Sequence, residues 1–311
     1  MAGYLKNGRW VEINKFADDD GEFKRQETSF RNFISNDGDF KPEKDRYHLY
    51  VSYACPWAHR ALIFRLLKNL ENYISVSVVH PHMLDNGWEL DANFAGSTGD
   101  NLYGYNYLHE IYTKAKPDYT GKVTVPVLWD KNTETIVNNE SADIIRIFNS
   151  GFNELTGNTD NYYPDHLRGE IDDINARVYD TINNGVYKAG FATKQSVYED
   201  AFNPLFDSLD WIEDILSDGR QYLCGDVLTE ADIRLLTTLL RFDAVYHTHF
   251  MCNKHQLRGY KHIHPYMIRL YNMDFVKPTV HMDHIKHHYY YSHPSVNPNQ
   301  IIPIGPKLDW L

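Results

Sequence analysis

The sequence predicts an α/β domain that is followed by an all-helical domain. The chain has 311 residues, about twice the usual length of one domain, so two domains are expected. A strand–helix–strand pattern begins at Tyr47, whereas helical periodicity dominates from about residue 165 onward. These observations predict an N-terminal extension at 1–46, the α/β domain at 47–150, and the helical domain with a C-terminal tail at 151–311.

The α/β domain is predicted from its alternation of strands and helices. Residues 47–53 have the pattern of a strand, and residues 58–67 are apolar at helical spacing. Pro56 suits the first helical position, where its missing N–H costs nothing. A second strand at 74–79 makes a βαβ unit, which is expected to be parallel and right-handed. Strands at 123–129 and 135–137 and a helix at 140–148 complete the order of a thioredoxin-like domain.

The regions outside this domain carry weaker signals. The first 46 residues are polar with turn signals, and they are expected to form an extension with little regular structure. Thr229 and Asp232 resemble a capping box that opens a helix. Prolines and histidines from Lys277 onward indicate an irregular tail. The helices expected in the second domain lie at about 165–190, 196–217 and 229–246.

The composition disfavours several classes of function. The net charge of −11 argues against nucleic acid and anionic membranes as main partners. The N-terminus lacks the apolar stretch of a signal peptide, and no apolar run approaches the roughly 20 residues of a membrane helix. Three cysteines in so long a chain do not indicate a disulfide framework. The sequence therefore predicts a soluble protein of a reducing compartment, the cytoplasm.

Cys55 is the candidate nucleophile. It follows a predicted strand and precedes Pro56 at the start of a helix, where unpaired N–H groups and the helix dipole favour the thiolate. Nearby His59 and Arg60 are expected to add positive field. Ala58 stands where a dithiol enzyme has its second cysteine, so the resolving thiol is expected to come from solution, with glutathione as the abundant candidate. A buried structural cysteine is the alternative, which this context disfavours.

Two further motifs fit a peptide-like thiol beside Cys55. A proline inside a strand is normally disfavoured, but a cis Pro126 would leave the N–H and C=O of Val125 free to pair with an extended peptide. An edge-strand proline is the alternative. Ser141 at a helix N-terminus is usually only a cap, yet such a site also binds a free carboxylate. Glu140 beside it would receive an ammonium group.

With these motifs, the chain resembles the glutathione transferases of the glutathionyl-hydroquinone reductase type, which form the xi class. The resemblance extends over roughly residues 28–306, and its blocks at 53–60 and in the tail are specific to this class. The matching segments lie at 53–60, 80–83, 87–88, 124–131, 138–146, 186–192, 228–234, 241–243, 245–246, 249–250, 284–286, 288–290 and 292–294.

The resemblance implies a role for each of several residues. Cys55 would be the nucleophile, and Tyr187 and Tyr289 would line the hydroquinone pocket. Lys122 stands where the class usually has an arginine. At the glycine carboxylate of glutathione, a lysine would offer a single point charge where an arginine could form two parallel hydrogen bonds. The other implied glutathione contacts are Trp88, which would stack on it, Val125 and Pro126 at its cysteinyl backbone, and Glu140 and Ser141 at its γ-glutamyl end.

The resemblance also implies a reaction and an assembly. Cys55 would attack the glutathionyl sulfur of a glutathionyl-hydroquinone, and a second glutathione would release glutathione disulfide, without metal or nucleotide. The implied partners are glutathione, glutathionylated aromatic molecules and a second copy of the chain. One alternative is an omega-like thioltransferase or dehydroascorbate reductase. The other is a non-catalytic glutathione-binding module, which the presence of Cys55 disfavours. The physiological quinone and the native thiol stay open.

Two groups of histidines have side chains that could in principle bind a metal. Sixteen histidines in one chain make chance clusters expected, so no metal is predicted. The side chains with suitable chemistry are His247, His249, Cys252 and His255 in one group, and His281, His284, His287 and His288 in another.

Overall fold

The structure, a computed structural model, describes residues 2–13 and 16–311, which fall into two compact units. The first unit contains Met1–Lys15, Gln26–Asp160 and Thr279–His288. The second unit contains Phe16–Arg25, Asn161–Pro278 and Tyr289–Leu311. Each unit is thus assembled from three separate segments, whereas the sequence predicts contiguous domains.

The strands and helices are distributed between the two units as follows. The strands that the structure describes belong to the first unit and are β1 Ala2–Lys6, β2 Arg9–Ile13, β3 Tyr47–Val51, β4 Ile74–Val78, β5 Met83–Leu84, β6 Gly87–Trp88, β7 Gly121–Lys122, β8 Val127–Asp130 and β9 Thr135–Asn138. The helices of the first unit are α1 Pro56–Leu67, α2 Leu108–Ala115, α3 Ser141–Ser150 and α4 Asn153–Thr156. Those of the second are α5 Arg168–Arg177, α6 Gly185–Gly190, α7 Gln195–Leu216, α8 Glu230–Arg241, α9 His247–His249 and α10 Ile263–Tyr271.

The last helix, α11 Met282–Ser292, contributes its residues up to His288 to the first unit and the rest to the second. Two helices are extended by π-helical segments, Val178–Asn183 after α5 and Phe242–Tyr246 after α8. Short 3₁₀ turns lie at Asp165–Leu167, Leu257–Gly259 and Lys277–Thr279. Among the described residues, every helix is too short or too polar to cross a bilayer.

A four-stranded mixed sheet in the order β4-β3-β8-β9 forms the core of the first unit. β3 pairs with β4 in parallel and with β8 antiparallel, and β8 pairs with β9 antiparallel. Every residue of β3 is buried, as expected for a central strand that is covered on both faces. This arrangement confirms the thioredoxin-like domain, and α1 begins at Pro56 as the sequence predicts.

The expectation that the N-terminal extension has little regular structure is wrong for residues 2–13. β1 and β2 form an antiparallel hairpin, and β1 also pairs with β7. The turn is made by Asn7 and Gly8, which have φ values of 48° and 74°. An Asn-Gly pair is a strong signal for a two-residue hairpin turn, because both central residues need positive φ.

Three other expectations also need correction. The tail, which the sequence predicts to be irregular, contains α11. The third core strand begins at Val127, so Pro126 precedes the strand and does not interrupt its ladder. The helix expected at 165–190 is divided by the π-helical segment after α5.

The second unit is built around α8, in which every residue is buried. Its predicted capping box is confirmed, since Thr229 N donates to Asp232 Oδ2 at 2.9 Å. Asp232 also accepts from Leu223 N at 2.9 Å and from Tyr266 Oη at 2.8 Å. Burial raises the pKa of this carboxyl group, and the hydrogen bonds to its charged form oppose that rise.

His48 makes the stability of the first unit depend on pH. Its ring is fully buried in β3, where Nδ1 lies 2.7 Å from Ser75 Oγ and Nε2 has no hydrogen-bond partner. Burial lowers the pKa of His48 to about 4. Because the unfolded chain then binds more protons than the folded one between about pH 6.5 and pH 4, folding stability falls as the pH drops through that window.

We therefore expect His48→Asn, whose amide can still reach Ser75, to weaken the loss of stability on acidification. Urea denaturation at pH 7, 6, 5 and 4.5 measures this loss as the fall in the free energy of unfolding. His166→Asn, at an exposed position, serves as the control. A pH slope equal to that of the unmodified chain in His48→Asn would contradict the assignment, whatever the variant's absolute stability.

Candidate active site

Cys55 lies at the junction between β3 and α1. Its backbone is extended, with φ −74° and ψ 121°, and it is the N-cap residue of α1. The Cys55 carbonyl accepts the first helical hydrogen bond, from His59 N at 3.0 Å. The thiol therefore stands at a helix N-terminus, where the free N–H groups and the dipole stabilise a thiolate.

The sheet register brings Cys55 to the Val125–Pro126 loop. Tyr50 of β3 pairs with Val127 of β8 in antiparallel register, so the chain after β3 runs beside the chain before β8. The Val125–Pro126 peptide bond is cis, as predicted, and Cys55 Sγ lies 3.7 Å from the Val125 carbonyl oxygen. At this distance the thiol can donate a weak hydrogen bond to the carbonyl.

Tyr112 anchors the residue before this loop, a role that the sequence analysis missed. Its buried hydroxyl donates to Thr124 O at 2.9 Å and accepts from Thr124 N at 3.2 Å. The same oxygen accepts from Asn139 Nδ2 at 3.1 Å. Tyr112 belongs to α2, which was not predicted, so the sequence gave no reason to place its phenol beside residue 124.

Glu140 caps α3, and Ser141 is the first residue of this helix. Glu140 Oε1 accepts from Ala142 N at 3.1 Å, and Oε2 lies 3.4 Å from Thr28 Oγ1. Ser141 occupies the first helical position and is buried. Its Oγ accepts from Arg60 Nη1 at 3.4 Å. The carboxylate of Glu140 is thus the group that this helix N-terminus presents beside Ser141.

The two basic side chains expected near Cys55 are those of His59 and Arg60, and both contact other residues of the first unit. His59 is fully buried, and its Nε2 lies 2.7 Å from Thr279 Oγ1. The guanidinium of Arg60 packs over the ring of Trp57, with Cζ 4.5 Å from the ring centroid, and also reaches Ser141. Arg60 therefore connects the first turns of α1 and α3.

Trp88 and Lys122 are held by their strands. Trp88 is buried in β6 opposite Met83, and its ring stacks on His288 with centroids 4.8 Å apart. Lys122 lies in β7, where its N–H donates to Gln26 Oε1 at 3.2 Å and its carbonyl accepts from Tyr119 Oη at 3.2 Å. The backbone of Lys122 is therefore well defined, and its side chain is partly exposed.

The second unit brings Tyr187 and Tyr289 together and adds Tyr246. The hydroxyls of Tyr187 and Tyr289 are 2.5 Å apart, and those of Tyr246 and Tyr289 are 2.9 Å apart. Tyr187 is 9% exposed, whereas Tyr289 and Tyr246 are 1% and 0% exposed. Tyr246 lies within a segment of the family resemblance, but nothing local marked its hydroxyl as a partner of Tyr289.

The tyrosine cluster consists of Tyr187, Tyr246 and Tyr289. Burial raises the pKa of Tyr246 and of Tyr289 well above the usual value, and the charge of Arg241 opposes the rise only in part. A row of phenols linked by short hydrogen bonds can donate a proton at one end and pass it along.

The three cysteines, all within the described residues, differ in exposure. Cys55 is partly exposed, whereas Cys224 and Cys252 are buried. Burial raises the pKa of Cys224 to about 11, and it raises the pKa of Cys252 as well. Buried thiols with raised pKa values are poor nucleophiles. This contrast favours Cys55 as the reactive residue.

The histidine groups singled out in the sequence are dispersed among other contacts. His249 Nε2 lies 3.2 Å from His293 Nδ1, and His284 Nε2 lies 2.7 Å from Ala95 O. Over residues 2–13 and 16–311, no set of three or more His, Cys, Asp or Glu side chains is arranged to hold a metal ion.

Comparisons with known proteins agree with this geometry. A family model described as glutathione S-transferase, N-terminal domain, matches residues 54–150, and the corresponding C-terminal-domain model matches residues 195–269. The glutathionyl-hydroquinone reductase YqjG of Escherichia coli (strain K12) is 53% identical, with the alignment covering 99% of this chain and 96% of that protein.

Two solved structures extend the match to three dimensions. The glutathione-bound structure of YqjG from Escherichia coli K-12 superposes with a TM-score of 0.92 at 50% identity, over 99% of this chain and 97% of the other. A xi class glutathione transferase from Natrialba magadii gives a TM-score of 0.94 at 49% identity, over 99% and 95% of the two chains. The resemblance seen in the sequence is confirmed: the chain belongs to the glutathione S-transferase family, in its xi class.

Proposed function

We propose that this chain is a glutathione-dependent reductase that removes glutathione from glutathionyl-hydroquinones. The observation that carries the proposal is the partly exposed Cys55 at the N-terminus of α1, with its sulfur beside the Val125 carbonyl. A protein thiol at this position makes bound glutathione the group that is attacked. The name of the E. coli relative, a glutathionyl-hydroquinone reductase, supports the same substrate class.

The proposed reaction has two thiol steps. The ring carbon that carries sulfur first takes up a proton as an adjacent hydroxyl becomes a ketone. The Cys55 thiolate then attacks the glutathionyl sulfur, the S–S bond forms, and the C–S bond breaks with its electron pair remaining on the ring. The resulting ring enolate takes up a proton on its oxygen and becomes the hydroquinone, so the ring is reduced while the two sulfurs are oxidised to a disulfide. A second glutathione, as its thiolate, attacks the glutathionyl sulfur of the mixed disulfide and releases glutathione disulfide and the Cys55 thiolate.

The first unit supplies the proposed glutathione contacts. Val125 and Pro126 would present backbone to the cysteinyl residue, next to Cys55 Sγ. The N-terminus of α3 would bind the γ-glutamyl carboxylate through Ser141, with the Glu140 carboxylate receiving the ammonium group. Glu140 already caps Ala142, but a carboxylate has room for further donors. Trp88 would stack on the tripeptide, and Lys122 would meet its glycine carboxylate.

The tyrosine cluster would assist the proton transfers on the ring. Tyr187 is the most exposed of the three phenols, so we assign it the contact with the hydroquinone. Tyr289 donates to or accepts from both of the others, which suits it to orient the Tyr187 hydroxyl and relay its proton. Tyr246 would be the buried end of the relay.

We also propose that the protein is a cytoplasmic homodimer. The three cysteines of the described residues form no disulfide, which fits a reducing compartment. In the tail, Ile301 and Ile304 are 68% and 100% exposed, and apolar side chains of this size gain stability when a second subunit covers them.

The experiment that tests the proposed function is a steady-state assay of glutathionyl-hydroquinone reduction with glutathione. We expect Cys55→Ser to abolish turnover, because a serine hydroxyl cannot form the mixed disulfide. Cys224→Ser and Cys252→Ser, at buried positions, should keep most of the activity if they remain folded. Near-normal turnover in Cys55→Ser would refute the mechanism.

Substitution of the tyrosines separates ring chemistry from thiol exchange. Tyr187→Phe and Tyr289→Phe should each lower kcat on a glutathionyl-hydroquinone by about tenfold or more. A tenfold loss is at or just below the smallest rate effect that is usual when a general acid or base is removed. Both variants should retain exchange with a small glutathione mixed disulfide, which needs no proton on carbon. Tyr271→Phe, a buried tyrosine outside the cluster, is the control. Equal losses on both substrates would mean that the tyrosines only support the fold.

Static light scattering at micromolar concentration should give the mass of a dimer. Ile301→Asp should shift the distribution toward monomer, because a carboxylate is costly to bury at an interface. A monomeric mass for the unmodified chain under these conditions would contradict the assembly.

A further inference from the structure

The N-terminal hairpin β1–β2 borders the strand that carries Lys122. In a three-stranded sheet of order β2-β1-β7, Tyr4 pairs with Lys122 and Leu5 pairs with Gly121. The hairpin turn also forms two hydrogen bonds to the residues that precede β7. Gly8 N donates to Tyr119 O at 2.9 Å, and Asn7 N donates to Thr120 Oγ1 at 2.9 Å. A two-residue strand such as β7 has little stability of its own, so its position depends on this pairing.

Trp10 of the same hairpin packs against the turn that leads to Trp88. Its indole Nε1 donates to Asp85 O at 2.8 Å, and its ring stacks on His109 with centroids 4.8 Å apart. The Trp10 ring packs closely against the backbone of Gly3 and Gly87. A Cβ added at Gly87 would be 2.7 Å from Trp10 Cη2, and one added at Gly3 would overlap the ring. Gly87 immediately precedes Trp88 and has φ +76°, a conformation that favours glycine.

We infer that the hairpin is part of the glutathione site, with Trp10 as a positioning residue for Trp88 and β1 as the support of Lys122. The inference rests on the proposed function, because it takes Trp88 and Lys122 as glutathione contacts. The hairpin itself touches no reacting atom. It acts by holding β6 and β7, two short strands that come from distant parts of the chain, in the conformation that binds the tripeptide.

This role predicts a defect in binding and not in chemistry. β5 and β6 have two residues each, and a hairpin of that size is marginally stable without packing. Loss of the contact between Trp10 and the β5–β6 turn should therefore lower the fraction of molecules in which Trp88 is positioned to bind glutathione. The apparent Kd rises as the inverse of that fraction, while the step at Cys55 is unchanged once glutathione is bound.

The test uses the full chain and reduced glutathione, with Kd measured by titration calorimetry. We expect Trp10→Ala to raise Kd about tenfold and to leave kcat for a small glutathione mixed disulfide within about twofold at saturation. Trp10→Phe keeps a ring on His109 but loses the bond to Asp85, so a smaller rise is expected. Gly3→Ala should also raise Kd, because it displaces Trp10 without replacing it. Arg9→Ala, an exposed position on the same strand, should change neither quantity.

If Trp10→Ala unfolds the protein, the test is hydrogen–deuterium exchange of the Trp10→Phe variant. Faster exchange confined to 83–88 and 119–122 would support the inference, and unchanged exchange with unchanged Kd would overturn it. So would a folded Trp10→Ala variant that binds glutathione normally. Kd is measured without turnover, so glutathione binding without hydroquinone reduction would refute the proposed function and leave this inference standing.

Discussion

The candidate chemistry depends on one contact, between the Cys55 sulfur and the Val125 carbonyl. That contact follows from the antiparallel register of β3 and β8, which places the end of one strand beside the start of the other. Because β3 is central and buried along its whole length, the register is strongly specified: a slip by one residue would turn its buried side chains to the opposite face. The core of the sheet therefore determines where the thiol lies, and α1 determines its electrostatic environment.

The groups that surround this contact are mostly main-chain groups, which neighbouring side chains hold in place. Pro56 starts α1, Tyr112 pins Thr124, and Glu140 caps α3, so that two helix N-termini and an irregular loop are held by hydrogen bonds to main chain. Arg60 connects the two helix starts through Ser141. A site built from N–H groups and carbonyls suits a peptide such as glutathione, whose own backbone can pair with them.

The tyrosine cluster of the second unit follows a different physical rule. Three hydroxyls are withdrawn from water and must find partners there, because an unpaired buried hydroxyl is costly. They satisfy one another through Tyr289, which lies between Tyr187 and Tyr246. The same burial that makes these hydrogen bonds necessary raises the pKa of Tyr246 and Tyr289, and so keeps them as proton donors.

Local sequence signals were sufficient wherever a few neighbouring residues determine the backbone. Pro56 at the start of α1, the capping box of Thr229 and Asp232, and the cis bond before Pro126 were all predicted and are present. The Asn7-Gly8 turn is an equally local signal, but it lies in a segment whose polar composition predicts little regular structure.

What only the tertiary structure decided are the contacts between residues far apart in sequence. Tyr246 and Tyr289 are 43 positions apart, and the pairing of Tyr4 with Lys122 spans an even longer separation. Helix α11 lies in the tail, which the sequence predicts to be irregular. Helix and strand propensities, and the spacing of apolar residues, report the free energy of a local conformation. These features depend instead on which surfaces become buried against each other once the chain has folded.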